Sequence, residues 1–155
     1  MTIRIRRAKR KDIPWIVHHR IEMFRSMGYA SDVLTKGKSG IESFMDKDWD
    51  DTIEYFLATI GGNVLGGCAV TVYSVLPNPK RAHTSKIACV HNMFVEPQFR
   101  RQGIATALMK HVLSHCRTKG IFKATLHATK MSLDLYRKLG FVKNDDCYEL
   151  LIKPL

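Results

Sequence analysis

From Lys86 the chain reads KIACVHNMFVEPQFRRQGIATALMKHVLSHCRTKG, and its period changes once. The first ten residues suit an extended strand. From about Gly103 to Lys119, apolar residues recur at helical spacing until Gly120 closes the run. Between the two lies a short link of proline, two arginines and glycine. A strand that enters a long helix through so short a link has to sit in a sheet with the helix laid on one face, so the chain reads as a layered α/β protein.

The flanking segments extend this architecture. TIRIRRA alternates apolar and charged residues from Thr2 to Arg6, as a half-exposed strand does. Asp12 offers an N-cap, Pro14 lies in the first turn, and Ile13, Val17, Ile21 and Phe24 recur at helical spacing up to Met27-Gly28. A polar break is expected from Gly37 to Gly40, then a short second helix over IESFMDKDW. From Thr52, TIEYFLATI, the turn Gly61-Gly62-Asn63 and VLGGCAVTVYSV read as an antiparallel hairpin, with Gly66-Gly67 marking a bulge. PNPKRAHTS reads as a loop, IFKATLHA as a strand, SLDLYRKLG as a helix stopped by Gly140, and CYELLIK as a last strand. The order βααβββαβαβ predicts one α/β domain over residues 1–155, with helices flanking a mixed sheet.

The chain carries 25 Lys+Arg against 14 Asp+Glu, a formal charge of +11, so it attracts anions without specifying which. No apolar run is long enough to span a bilayer, and Arg4, Arg6 and Arg7 precede no signal-peptide core. Cys68, Cys89, Cys116 and Cys147 include no C-x-x-C pair. Free thiols in a cytoplasmic setting are expected.

Several apparent motifs fail on inspection. Gly37-Lys38-Ser39 resembles the end of a phosphate loop, but Asp32 stands where that loop needs glycine. Neither GxGxxG nor GxSxG occurs. His111 and His115 have a spacing that binds metal, yet no third ligand accompanies them. No metal is expected.

The link at Arg100 is chemically richer. Backbone N–H groups at a helix start have no intrahelical partner and point outward with the positive end of the helix dipole. A glycine there admits close approach, and arginines add charge for phosphate oxygens. With Val95 and Pro97 before it, R-x-x-G-x-A over Arg100, Gly103 and Ala105 resembles the acyl-CoA signature of the GCN5-related N-acetyltransferase superfamily. IRRAKRKDIPWIV and LHATKMSLDLYRKLGFVK resemble that superfamily's opening and closing segments, so the likeness covers essentially the whole chain.

The resemblance implies a mostly antiparallel sheet with splayed central strands and acetyl-CoA as acyl donor. It implies that Arg100, Arg101, Gln102, Gly103, Ile104, Ala105 and Thr106 hold the CoA pyrophosphate, mainly through backbone N–H groups. Met93, Phe94 and Val95 would pair with pantetheine like an added strand, an N–H of Phe94 or Val95 polarising the thioester carbonyl. Tyr136 would protonate the leaving thiolate, a phenol near pKa 10 being a reasonable acid for a thiolate of roughly 8–9. Thr129 stands where the closing pattern usually has asparagine and Ser132 where it has alanine; Thr129 would hydrogen-bond the cofactor arm.

An attacking amine must lose a proton. His127 and Glu96, on the two strands expected to splay, are the catalytic candidates, and His91 shares their neighbourhood. Asn92, Glu22, Phe24 and Tyr29 are candidates for the acceptor pocket, with core packing an alternative for Phe24. The basic cluster of Arg4, Arg6, Arg7, Lys9, Arg10 and Lys11 reads as a solvated face or as steering for an anion. The acceptor would be a small-molecule or peptide amine, and the positive charge disfavours a polycation unless Asp46, Asp48, Asp50 and Asp51 line the pocket. A CoA-binding sensor without catalysis and a basic nucleic-acid-binding module are the competing readings. The second is disfavoured because no recognition helix or aromatic RNA-binding strand is recognisable. Oligomeric state is open, a homodimer included.

Overall fold

The computed structural model describes residues 2–47, 49, 52–80, 85–144, 150 and 151. Its elements are β1 (Arg4–Arg7), α1 (Ile13–Ser26), α2 (Ser31–Lys47), β2 (Ile53–Ile60), β3 (Asn63–Ser74), β4 (Lys86–Val95), α3 (Ile104–Thr118), β5 (Ala124–Leu126) and α4 (Leu133–Lys138). Short 3-10 turns at Arg10–Asp12 and Pro97–Phe99 lead into α1 and α3. The strands lie in sequence order, β1-β2-β3-β4-β5, antiparallel throughout except for the parallel pair β4–β5. A parallel pair needs a crossover, which α3 supplies. The expected last strand lies largely outside the described residues, as does Cys147.

Strand alternation builds the layers. Phe56, Ala58, Cys68 and Val70 face α3 and pack with Leu108, Met109 and Val112. Tyr55, Leu57 and Ala69 face the other way, against Ile16, Val17 and Ile21 of α1 and Leu34 and Met45 of α2. β2 is therefore buried on both faces, which explains its nearly continuous apolar run.

Two expectations need correction. The break at Gly37–Gly40 does not occur, because α2 runs unbroken over 17 residues. Each interior glycine weakens a helix by only about 1 kcal/mol, while buried Leu34 and Met45, with half-buried Ile41, anchor the helix on both sides of the pair. Asp12 precedes α1, but its side chain does not cap that helix. Its carboxylate accepts the Lys9 N–H at 2.7 Å and a two-pronged pair from Arg6 at 2.7 and 2.8 Å. Arg6 holds the carboxyl of Asp12 below its ordinary pKa. The basic cluster is thus partly structural: Arg7 lies 3.5 Å from Glu54, and Arg10 bonds the Asp46 carbonyl at 2.7 Å.

The hairpin turns on Gly61 and Gly62, both at positive φ, as a two-residue primed turn requires. Gly66-Gly67 lies between two register shifts, one toward β2 and one toward β4. A Cβ on Gly66 would stand 2.5 Å from the Phe94 carbonyl oxygen, and one on Gly67 2.7 Å from that of Phe56. Both contacts are with backbone, which cannot swing aside. Gly66→Ala should therefore lower unfolding free energy by about 1–3 kcal/mol. Gly37→Ala, with no atom within 4 Å of the new carbon, should raise it by roughly 0.5–1 kcal/mol. Urea midpoints at unchanged slope check both.

Candidate functional site

The site begins with a kink. Gly67 pairs with Phe94 and Ala69 with His91, so Asn92 and Met93 together stand opposite Cys68. Asn92 takes the left-handed region, φ +54°, which asparagine tolerates better than most residues. Its buried amide donates to the Tyr55 hydroxyl at 2.7 Å, pinning the bulge to β2. β4 pairs with β5 only at Ala88, Cys89 and Val90. From His91 to Val95, no strand among the described residues covers that edge of β4.

The uncovered edge runs straight into the start of α3. Arg101 and Gly103 both have positive φ, +63° and +79°. The chain therefore turns sharply and presents the first-turn N–H groups together. The helix's first backbone bond runs from the Ala107 N–H to the Gly103 carbonyl at 2.9 Å. Arg101, Gln102 and Gly103 are exposed, Ile104 is buried as the helix's anchor, and Ala105 and Thr106 are half-buried. Arg100 behaves differently from its neighbour. Its Nε donates to the Val95 carbonyl at 2.9 Å, and its guanidinium lies 5.4 Å from the centre of the Phe94 ring. That side chain ties the loop to the strand end. Gln102 donates to the Gln98 carbonyl at 3.2 Å.

On the sheet face under α1 and α2 lies a cavity of about 460 Å³. Asn92 and His91 line it, as do Arg20, Tyr55 and a set of apolar side chains from α2 and β2. His91 accepts from or donates to the Thr71 hydroxyl at 2.7 Å, and burial, then the charge of Arg20, lowers its pKa. Glu22, Phe24 and Tyr29 do not line the cavity. Glu22 pairs with Arg25 at 3.1 Å, while Phe24 lies against Tyr29 and beneath Arg20. Asp46 faces Arg10; Asp48, Asp50 and Asp51 lie outside the described residues.

The titratable candidates are dispersed. Tyr136 of α4 is buried against Phe141, and burial raises its pKa, with neighbouring Cys68 adding to the effect. The turn before α4 is closed by Thr129 and Ser132, whose hydroxyls lie 3.1 Å apart. His127 is exposed just beyond β5. Glu96 follows β4, its carboxylate 2.8 Å from His18 Nε2 and 3.6 Å from His19 Nε2. His18 and His19 were not legible as site residues, since a helical HHR run carries no spacing signal. Their rings pack on Phe94 at 6.4 and 5.4 Å, so they seat α1 on the bent strand. His111 and His115 flank Phe56, and His115 bonds Glu54 together with Lys119. Among the described residues, no three side chains cluster as metal ligands.

Known proteins share this fold. Residues 21–141 match the model of the acetyltransferase (GNAT) family. The glucosamine 6-phosphate N-acetyltransferase of Trypanosoma brucei brucei is 28% identical over 80 residues, which is 52% of each chain. The match thus spans about half the length of that relative. A GCN5-related N-acetyltransferase from Ralstonia eutropha superposes with a TM-score of 0.86 at 25% identity, over 97% of this chain and 99% of that one. A predicted acetyltransferase from Clostridium acetobutylicum, solved with acetyl-CoA, gives a TM-score of 0.85 at 22% identity, over 97% and 96%.

His19 is wholly buried, and burial lowers its pKa from 6.5 to about 4. The unfolded chain takes up this proton first. Stability is therefore full above about pH 6.5 and falls as pH drops toward 4, by at most about 1.4 kcal/mol per unit. Urea unfolding between pH 4.5 and 7.5 should show this slope in the wild type and a flatter one in His19→Gln; equal slopes would assign the loss to another group.

Proposed function

Because the chain belongs to the acetyltransferase (GNAT) family, we propose that it moves an acetyl group from acetyl-CoA to a primary amine by direct attack in a ternary complex. The observation that carries this reading is the edge of β4 left uncovered from His91 to Val95, continuous with the N–H groups that open α3. Pantetheine would complete the ladder along Met93, Phe94 and Val95. The pyrophosphate would sit on the N–H groups from Arg101 to Thr106, with Arg100 bracing the loop and Thr129 beside the cofactor arm. The cavity under α1 and α2 would receive the amine.

The amine nitrogen attacks the thioester carbon, whose oxygen becomes negative and is met by a strand N–H at Phe94 or Val95. The carbon–sulfur bond then breaks, and the thiolate takes the proton of Tyr136. Burial keeps that phenol protonated and able to donate. The proton lost by the amine goes to His91, which lines the cavity and is kept neutral near pH 7 by burial and Arg20. Glu96, joined to His18, and His127 would pass protons on to solvent, since neither lines the cavity. No step calls on a metal or a covalent enzyme intermediate. Residues 1–155 act as one domain in this reading, both apolar clusters sharing one sheet. Free Cys68, Cys89 and Cys116 accord with a cytoplasmic setting.

Acetyl-CoA at millimolar concentration should raise the Tm; no shift would remove both the enzyme and a CoA-binding sensor, leaving the nucleic-acid reading. Gly103→Val should weaken that stabilisation more than Arg101→Ala does, because the site is made of backbone at positive φ. Tyr136→Phe should keep the shift and lower kcat by about 10²–10⁴. Unchanged turnover would remove Tyr136 as the acid.

A further inference from the structure

The cavity is lined by two chemically distinct sets of residues. Ile41, Phe44, Met45, Trp49 and Ile53 belong to the apolar set. The cavity volume of about 460 Å³ falls in the small-molecule range. A sugar amine placed there would bury hydroxyls against hydrocarbon, where they lose their partners in water. An apolar body loses nothing.

The polar set is Arg20, Tyr55, His91 and Asn92. Asn92 is 5% exposed, and its Oδ1 finds no hydrogen-bond partner among the described residues. A buried acceptor of this kind calls for a donor from a ligand, and an amine N–H is one. The Arg20 guanidinium rests 4.9 Å from the centre of the Phe24 ring and acts electrostatically on both His91 and Tyr55. Among the described residues, none that line the cavity is acidic. An isolated cation beside an amine site repels a second ammonium and attracts a carboxylate, which guanidinium binds in a fork.

We infer that this cavity takes a monoamine combining an apolar aliphatic or aromatic body with a carboxylate, as an apolar α-amino acid does, Arg20 holding the carboxylate and Asn92 the amine. This rests on the acetyl-transfer reading. Room for the apolar body comes from α2. Gly37 and Gly40 line the cavity, and a Cβ built on either meets no atom within 4 Å.

The purified full chain, given acetyl-CoA, would be assayed for thiol release with phenylalanine, leucine, 2-phenylethylamine, glucosamine 6-phosphate and an aminoglycoside. Phenylalanine or leucine should exceed 2-phenylethylamine in kcat/KM by at least about tenfold, the effect of one charged hydrogen-bonded pair. The two sugar amines should trail by at least about a hundredfold. Arg20→Gln should erase the preference for the carboxylated amine, mainly through KM. Gly40→Leu should suppress all amine turnover yet keep the Tm shift with acetyl-CoA. Sugar amines outpacing the apolar ones, an unchanged preference in Arg20→Gln, or no release with any amine despite an acetyl-CoA shift would each overturn the inference and leave CoA binding standing. Absence of that shift in the wild type would overturn the acetyl-transfer reading and this one with it.

Discussion

One extra residue in β4 governs this structure. With Asn92 and Met93 set against Cys68, the strand cannot keep both neighbours, and it leaves β5 after Val90. Unpaired peptide groups are ordinarily a liability at a sheet edge. Here they border a helix start that also has N–H groups to spare, so one bent strand presents a row of polar backbone with a single direction. The bend is held by Tyr55 through the Asn92 amide, by the missing side chain at Gly66, and by the aromatic packing of His18 and His19 on Phe94.

The bent strand and the turn into α3 were legible in the sequence because they are made of periodicity and glycine. A strand period, a glycine forced to positive φ and a helical period survive translation into structure almost unchanged, and the Gly66-Gly67 bulge did too. Interactions between segments distant in sequence were harder to read. The fate of Asp12 depended on Arg6 across the β1 turn, and the continuity of α2 on where Leu34 and Met45 landed. Arg100 read as charge for phosphate, and its bond from Nε to the Val95 carbonyl could not be read beside that. The cavity was harder to read, since its lining comes from α1, α2 and three strands. Of Glu22, Phe24, Tyr29 and Asn92, Asn92 lines it.

Charge tells a similar story. A formal +11 suggests a basic surface waiting for a polyanion, yet some of the cations are engaged within the fold. Arg6 serves Asp12, while Arg7 and Lys119, joined by the His115 ring, gather on the buried carboxylate of Glu54 and tie the end of α3 to β2. An uncompensated carboxylate in that position would be expensive, so these cations stabilise the sheet before they steer anything.

The clasp between Arg100 and Val95 has a geometric consequence. It fixes the loop against the end of the strand, so the turn at Arg101–Gly103 and the uncovered edge keep a constant separation. In the proposed acetyl-transfer reading, two contact points held at a set interval would behave as a ruler. A short acyl donor would reach one mark only, whereas a donor with a long flexible arm and a charged end would touch both. Donor length, more than the acyl group at its tip, would then be the first quantity this fold measures.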